Sequence, residues 1–322
     1  MQMEILSHWG VIEAIGEDAA TFLQSQLTQD VASLSPQRAT LAAYCTAKGR
    51  MLGQFVIIRD AGRYLLLTHR DMADALVKRL GMFVLRSKCK LRNASAEFQV
   101  AGCRGELPKA LQDAVAAAQV SVPLSPWGCV KTDGAFVVGW PGMPGVPRHL
   151  ILLSQGEASA SPGVAVDGLN LESGAGGDFW QRDDILCGIP FLEPVNLEAF
   201  VPQMLNLDVI GGVSFSKGCY PGQEVVARSH YLGKMKRRMQ IGQTAATVLP
   251  GADVFSSSRP SEPAGRVVNV AQSGDGSSVL LFEISSDDLQ GSSLHVQSHD
   301  GPALQLKPLP YDMPVPNTPP GR

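Results

Sequence analysis

Within eight residues, Lys217-Gly218-Cys219-Tyr220-Pro221-Gly222-Gln223-Glu224 gathers an amine, a thiol, an amide and a carboxylate. A glycine pair, Gly211-Gly212, precedes a short strand, and Lys217-Gly218 then turns the chain. Pro221 can take the first position of a helix, where the missing N–H has no partner anyway. The pattern predicts a helix from Pro221 to about Tyr231, stopped by Gly233. Cys219 would then stand just before a helix N-terminus with Lys217 two residues away, and both features favour a thiolate. The other reading of Cys219 is a small apolar residue packed at a tight turn. Gln223 and Glu224 also read two ways. They suit the first turn of a helix through its dipole, and the Glu224 carboxylate can accept hydrogen bonds from adjacent ring and amino N–H groups of a nitrogen heterocycle.

Other residues with chemical capacity are scattered. Trp9, Trp127, Trp140 and Trp180 each offer a large π face or a large core filler. Lys234, Lys236, Arg237 and Arg238 form a tight basic cluster, which is either a polyanion site or a solvated strand edge. The six cysteines, Cys45, Cys89, Cys103, Cys129, Cys187 and Cys219, contain no C-x-x-C pair. That spacing gives no zinc finger, no thioredoxin-type motif and no framework for a resident iron–sulfur cluster, so no metal site is expected.

The elements that must position these groups are short and mixed. Trp9 to Ile15 reads as a strand ending at Gly16, and a helical pattern with Phe22, Leu23, Leu27 and Val31 on one face follows. Gly53–Arg59 and Arg63–Thr68 read as a hairpin with Asp60-Ala61-Gly62 as its turn. A helix from about Asp71 to Leu80 should stop at Gly81. Ala96–Ala101 and Ala135–Trp140 read as strands, and Leu107–Val120 as a helix. The last eighty or so residues carry only short β runs separated by turn residues, the pattern of a small antiparallel barrel or sandwich. The Pro-rich end from Pro314 reads as a disordered tail.

Bulk properties agree with a globular cytosolic protein. Of 322 residues, 44% are hydrophobic and 18% charged, a balance that excludes intrinsic disorder. A net charge of −3 argues against direct tRNA binding. No apolar run is long enough to span a bilayer, and the first residues lack a signal-peptide pattern, so a cytoplasmic location is expected.

Lys217-Gly218-Cys219-Tyr220-x-Gly222-Gln223-Glu224 resembles the K-G-C-[FY]-x-G-Q-E signature of the YgfZ family, in the glycine-cleavage T-protein superfamily. Further stretches resemble the same family. They are Gln24–Val31 (Q-x-Q-x-T-x-D-V), Ala42–Met51 (A-A-x-C-x-A-K-G-[KR]-M), Phe200–Leu207 with Gly211-Gly212, and Pro308-Leu309-Pro310-Tyr311. The resemblance thus covers nearly the whole chain.

The resemblance implies an α+β, T-protein-like three-domain ring, with two α+β domains and a C-terminal antiparallel β-barrel, and points to a monomer. The implied domains are residues 1–45 with 121–238, residues 46–120, and residues 239–322. It implies tetrahydrofolate or another folate as cofactor, with Trp9, Trp180, Lys217, Gln223 and Glu224 around it and Cys219 as the functional thiol. Implied partners are iron–sulfur enzymes, including those that methylthiolate tRNA. The T protein's acidic G-G-x-x-D-D element aligns with Lys48–Gln54, where no carboxylate stands. Aminomethyl transfer therefore lacks its acid–base group, and a one-carbon transferase acting on another acceptor is the alternative.

Overall fold

Apolar–polar alternation produces short strands along most of the chain. The computed structural model describes residues 1–155, 179–231, 235–289 and 291–314. The chain begins with β1 (Gln2–Ile5), β2 (Trp9–Ile15), α1 (Ala19–Gln26), β3 (Ala39–Cys45), β4 (Met51–Asp60) and β5 (Arg63–His69). Next come α2 (Ala73–Gly81), β6 (Lys90–Asn93), β7 (Phe98–Arg104), α3 (Lys109–Ala117), β8 (Cys129–Thr132), β9 (Ala135–Trp140) and β10 (Arg148–Ser154). The later elements are α4 (Phe179–Leu186), α5 (Gln223–Tyr231), β11 (Arg237–Thr244), β12 (Asp253–Ser256) and β13 (Gly265–Gln272). The last are β14 (Ser278–Ser285), α6 (Ser286–Leu289), β15 (Leu294–Val296) and β16 (Ala303–Lys307).

The chain divides into two units. The first comprises Met1–Gln26, Asp30–Ala42 and Phe55–Gly176, and the second Leu27–Gln29, Ala43–Gln54 and Gly177–Arg322. One five-stranded sheet has the order β1-β7-β10-β9-β8 and belongs to the first unit. A second has the order β3-β4-β5-β2-β6, with β3 and β4 supplying residues to both units. The helix α3 closes the core of the first sheet through Leu111 and Val115, which pack with Ala101, Cys103, Val137 and Ile151. In the second unit β11-β14-β13-β12-β15-β16 close into a barrel, as expected from the β-only C-terminal pattern. Its interior is filled by Val254, Val267, Leu280, Phe282, Ile284 and Val296. A bulge at Val267/Asn269 re-aims Asn269, whose side chain accepts from the Phe191 N–H at 2.9 Å and donates to its carbonyl at 2.7 Å.

Two local expectations shift. The helical pattern running toward Val31 ends at Gln26. Leu27 instead bridges Tyr44, and the Thr28 N–H donates to the Ala43 carbonyl. Tertiary pairing outweighs the helical period there. Asp60 is a buried carboxylate, not merely a turn residue. It is bonded to Lys131 at 2.8 Å and to Arg63 at 3.0 Å; Arg63 reaches Glu13 at 2.8 Å, Glu13 reaches Arg92 at 2.6 Å, and Arg92 pairs with Glu97.

This ionic chain ties β8 to β4, β5, β2 and β6. Burial pushes the Asp60 carboxyl up, but Lys131 and Arg63 outweigh it and hold it below the usual 3.8. Its contribution is therefore complete above about pH 4 and fades as the pH falls further. Asp60→Asn should cost about 1–3 kcal/mol at pH 7, with the half-exposed cations limiting the loss. The deficit should shrink below pH 4. Urea denaturation at pH 7 and pH 3 tests this; an equal deficit at both values would contradict the assignment.

Candidate functional site

The motifs picked out in the sequence converge in the second unit, on the loop that carries Cys219. Lys217 is buried, and its ammonium donates to the Leu27 carbonyl at 2.6 Å and the Gln29 carbonyl at 3.2 Å. It also lies 5.1 Å from the centre of the Tyr220 ring. Thr28 completes the grip: its hydroxyl donates to the Gly212 carbonyl at 2.7 Å and accepts from the Ala43 N–H at 2.8 Å. The Gln29 amide donates to the Gly211 carbonyl at 2.6 Å. Residues 27–29 and 211–217 are thereby cross-linked on both sides of the loop.

The far end of the loop is held by shape. Gly222 adopts φ +83° and sits so close to the Thr46–Gly49 turn that an added Cβ would lie 2.5 Å from the Thr46 carbonyl oxygen. The helix α5 consequently starts at Gln223, not at Pro221, because the left-handed residue between them breaks the helical path. The predicted stop at Gly233 lies outside the described residues. Tyr220 is buried, and burial and the nearby Cys45 push its hydroxyl pKa up. Cys219 itself is exposed.

Cys219 is the one exposed thiol of the six. Burial pushes the buried thiols of Cys45 and Cys129 up to about 12 and that of Cys103 up to about 11, and raises Cys89 as well. The expected proximity of Lys217 to the thiol takes a different form, since that ammonium is turned inward onto main-chain carbonyls. Lys217 stiffens the pedestal beneath Cys219.

Around this loop, motif residues act as buried cross-braces that sequence reading did not single out. The Gln203 amide donates to the Val226 carbonyl of α5 at 2.5 Å. The Asn206 amide donates to the Met239 carbonyl at 3.0 Å and to the Tyr311 hydroxyl at 3.3 Å. Tyr311 in turn donates to the Gly188 carbonyl at 2.9 Å. The signal available in the sequence was the presence of amides among apolar motif positions. Gln54, the last residue of the stretch aligned with the acidic element of T protein, donates to the Pro190 carbonyl at 2.6 Å and accepts from the Leu192 N–H at 3.2 Å. Both functions of that amide are committed to backbone, and an amide is neither acid nor base.

The remaining candidates separate. Glu224 is exposed and Gln223 half-buried on the first turn of α5, and neither side chain has a hydrogen-bond partner among the described residues. Trp180 lies in α4, which packs on β13 and β14, and is 1% exposed. Trp9 belongs to the first unit and is 3% exposed. Its ring meets Trp140 edge-on at 5.9 Å, and Trp140 meets Trp127 at 4.9 Å. Each indole face is already packed, so a flat ligand reaches either one only after a neighbour moves. The basic cluster is internally neutralised where it is described. Lys236 pairs with Asp287 at 3.4 Å, Arg237 with Glu283 at 2.8 Å, and Arg238 with Asp208 at 2.6 Å. Lys234 lies outside the described residues. No group of metal-ligating side chains occurs among the described residues.

No family model matches the chain. The tRNA-modifying protein YgfZ of Vibrio atlanticus (strain LGP32) is 29% identical over 323 residues, covering 97% of this chain and 93% of the relative. That of Klebsiella pneumoniae (strain 342) is 28% identical over 312 residues, covering 96% and 92%. The chain is similar to YgfZ proteins along nearly its whole length. Among solved structures, the glycine cleavage system aminomethyltransferase T from Bartonella henselae matches with a TM-score of 0.67 at 16% identity. The match covers 96% of this chain and 85% of that one. It shows a T-protein-like fold for this chain, in line with the α+β expectation and the closed C-terminal barrel. Among the described residues no helix is long and apolar enough to cross a membrane.

Proposed function

We propose that this chain is a folate-binding accessory protein that supports iron–sulfur enzymes and, through them, tRNA modification, with Cys219 as its working thiol. The observation that carries the reading is the contrast among the cysteines. Five are buried, while Cys219 alone is displayed on a loop pinned by Lys217, Tyr220 and Gly222. A thiol kept only for packing would be buried like the rest. The name of the relatives, tRNA-modifying protein YgfZ, supplies the process.

Fit to a folate is partial in this chain. The uncommitted Glu224 carboxylate and Gln223 amide match the donor–acceptor edge of a pterin. Lys217 is engaged with the Leu27 and Gln29 carbonyls, and Trp9 and Trp180 are packed in the interior. Gln54 in place of an acid argues against aminomethyl transfer, since nothing at that position moves a proton.

Two measurements test the proposal. Glu224→Ala should weaken tetrahydrofolate binding about tenfold, the loss of one or two charge-assisted hydrogen bonds. An unchanged Kd in a fluorescence titration removes Glu224 from the site. Cys219→Ser should fold normally yet fail to restore iron–sulfur enzyme activity and tRNA methylthiolation in cells lacking the protein. Full restoration would dispose of the thiol's role.

A further inference from the structure

Beyond α2 the first unit presents an exposed apolar tip. Met82 is 59%, Phe83 47% and Leu85 88% exposed. The expected helix stop at Gly81 is not a left-handed cap; Met82 is still right-handed, and the left-handed residue is Leu85 at φ +45°. A side chain bearing a Cβ is strained in that conformation.

The tip is nonetheless ordered. Phe83 N–H donates to the Leu80 carbonyl at 2.9 Å and Ser87 N–H to the Val84 carbonyl at 2.8 Å. Its base is clamped to the turn after β2: Lys88 N–H donates to the Asp18 carboxylate at 2.7 Å, and Asp18 N–H returns to the Lys88 carbonyl at 3.2 Å. Strain and exposed apolar area are thus both held in a fixed shape, which costs stability and gains nothing within the chain.

The charge around the tip says what covers it. Between Asp74 and Glu97 stand six cations and no carboxylate, in a chain whose net charge is −3. Lys88 pairs with Glu17, and Arg92 with Glu13 and Glu97. Lys78, Arg79, Arg86 and Lys90 are exposed and have no carboxylate partner among the described residues. An apolar centre of Met, Phe and Leu with an arginine-containing rim is the anatomy of a protein interface. Single-stranded RNA would need stacking platforms in a groove, and this tip offers one ring among aliphatic side chains. We infer that the Met82–Leu85 tip and its four uncompensated cations dock a protein partner whose receiving groove is apolar and rimmed by carboxylates. The tip belongs to the first unit and the Cys219 loop to the second, and the inference does not depend on the folate reading.

The test places the photo-crosslinker p-benzoylphenylalanine in the full chain at position 83, and at Leu249, 66% exposed, as control. Irradiation in cells should give a protein adduct at 83 and not at 249. Its cross-linked peptide should be apolar with flanking Asp or Glu, and its yield should drop several-fold when Arg79 and Arg86 are both changed to Glu. Binding of the partner so identified, purified, should weaken at least about thirtyfold for Met82→Ser/Phe83→Ser/Leu85→Asn, as loss of a central anchor requires. That variant should melt no lower than the unmodified chain, because asparagine tolerates the left-handed backbone. Adducts to RNA, or binding to vesicles of equal parts phosphatidylglycerol and phosphatidylcholine, would overturn the inference. So would a protein adduct indifferent to charge reversal, or none above the control.

Discussion

Gly222→Val should lower the stability of the chain by about 3–5 kcal/mol and release the Cys219 loop from its seat. Two costs combine. The left-handed backbone at φ +83° is worth about 1–2 kcal/mol against a residue bearing a Cβ, and more for a β-branched one. The added carbon would also lie 2.5 Å from the Thr46 carbonyl oxygen and 2.7 Å from the Gly49 Cα. Both obstacles are backbone, so relief requires moving the turn, at a cost of about 1–3 kcal/mol. Gly218, four residues earlier, has nothing within 4 Å of an added Cβ and no positive φ. Gly218→Ala should leave stability unchanged within about 0.5 kcal/mol. Chemical denaturation of both variants gives the comparison, and equal midpoints would show that the close approach at Gly222 has no energetic weight.

His149→Phe should remove a large part of the loss of stability between pH 6.5 and pH 4. His149 is completely buried on β10, on the same face as Ile151 and Leu153, and neither ring nitrogen has a hydrogen-bond partner among the described residues. Burial lowers its pKa from 6.5 to about 4. Between those values the unfolded chain takes up a proton that the folded chain refuses, so stability is highest above pH 6.5 and falls as the solution is acidified. The full shift corresponds to about 3 kcal/mol. His8 acts in the same direction, lowered to about 4 by burial and by the neighbouring His69. The variant should therefore retain part of the slope. Unfolding free energies measured in half-unit steps from pH 7 to pH 4 should differ near pH 7 only by the packing change and separate toward pH 4, where the unmodified chain loses stability that the variant keeps. Parallel curves would mean that the imidazole is not the source. This window lies above the one governed by Asp60, so the two effects can be measured apart.

Much of this molecule was readable before folding was considered. The two-residue alternation in Trp9–Ile15, the hairpin around Asp60-Ala61-Gly62 and the short β runs of the last eighty or so residues are local signals, because strand periodicity and turn chemistry act over a few residues. The family motifs likewise named the loop that matters, from Lys217 to Glu224. Roles inside that loop were not readable, because they depend on partners nearly two hundred residues away. Lys217 two positions from a thiol suggested an activating charge, yet its ammonium is drawn to the carbonyls of Leu27 and Gln29. Gly218 and Gly222 are the same letter, and only the approach of the Thr46–Gly49 turn distinguishes them. A buried ammonium and a close-packed glycine are settled by which distant backbone arrives beside them. Residue type and spacing specify what a side chain is able to do, and long-range packing selects which of those capacities it uses.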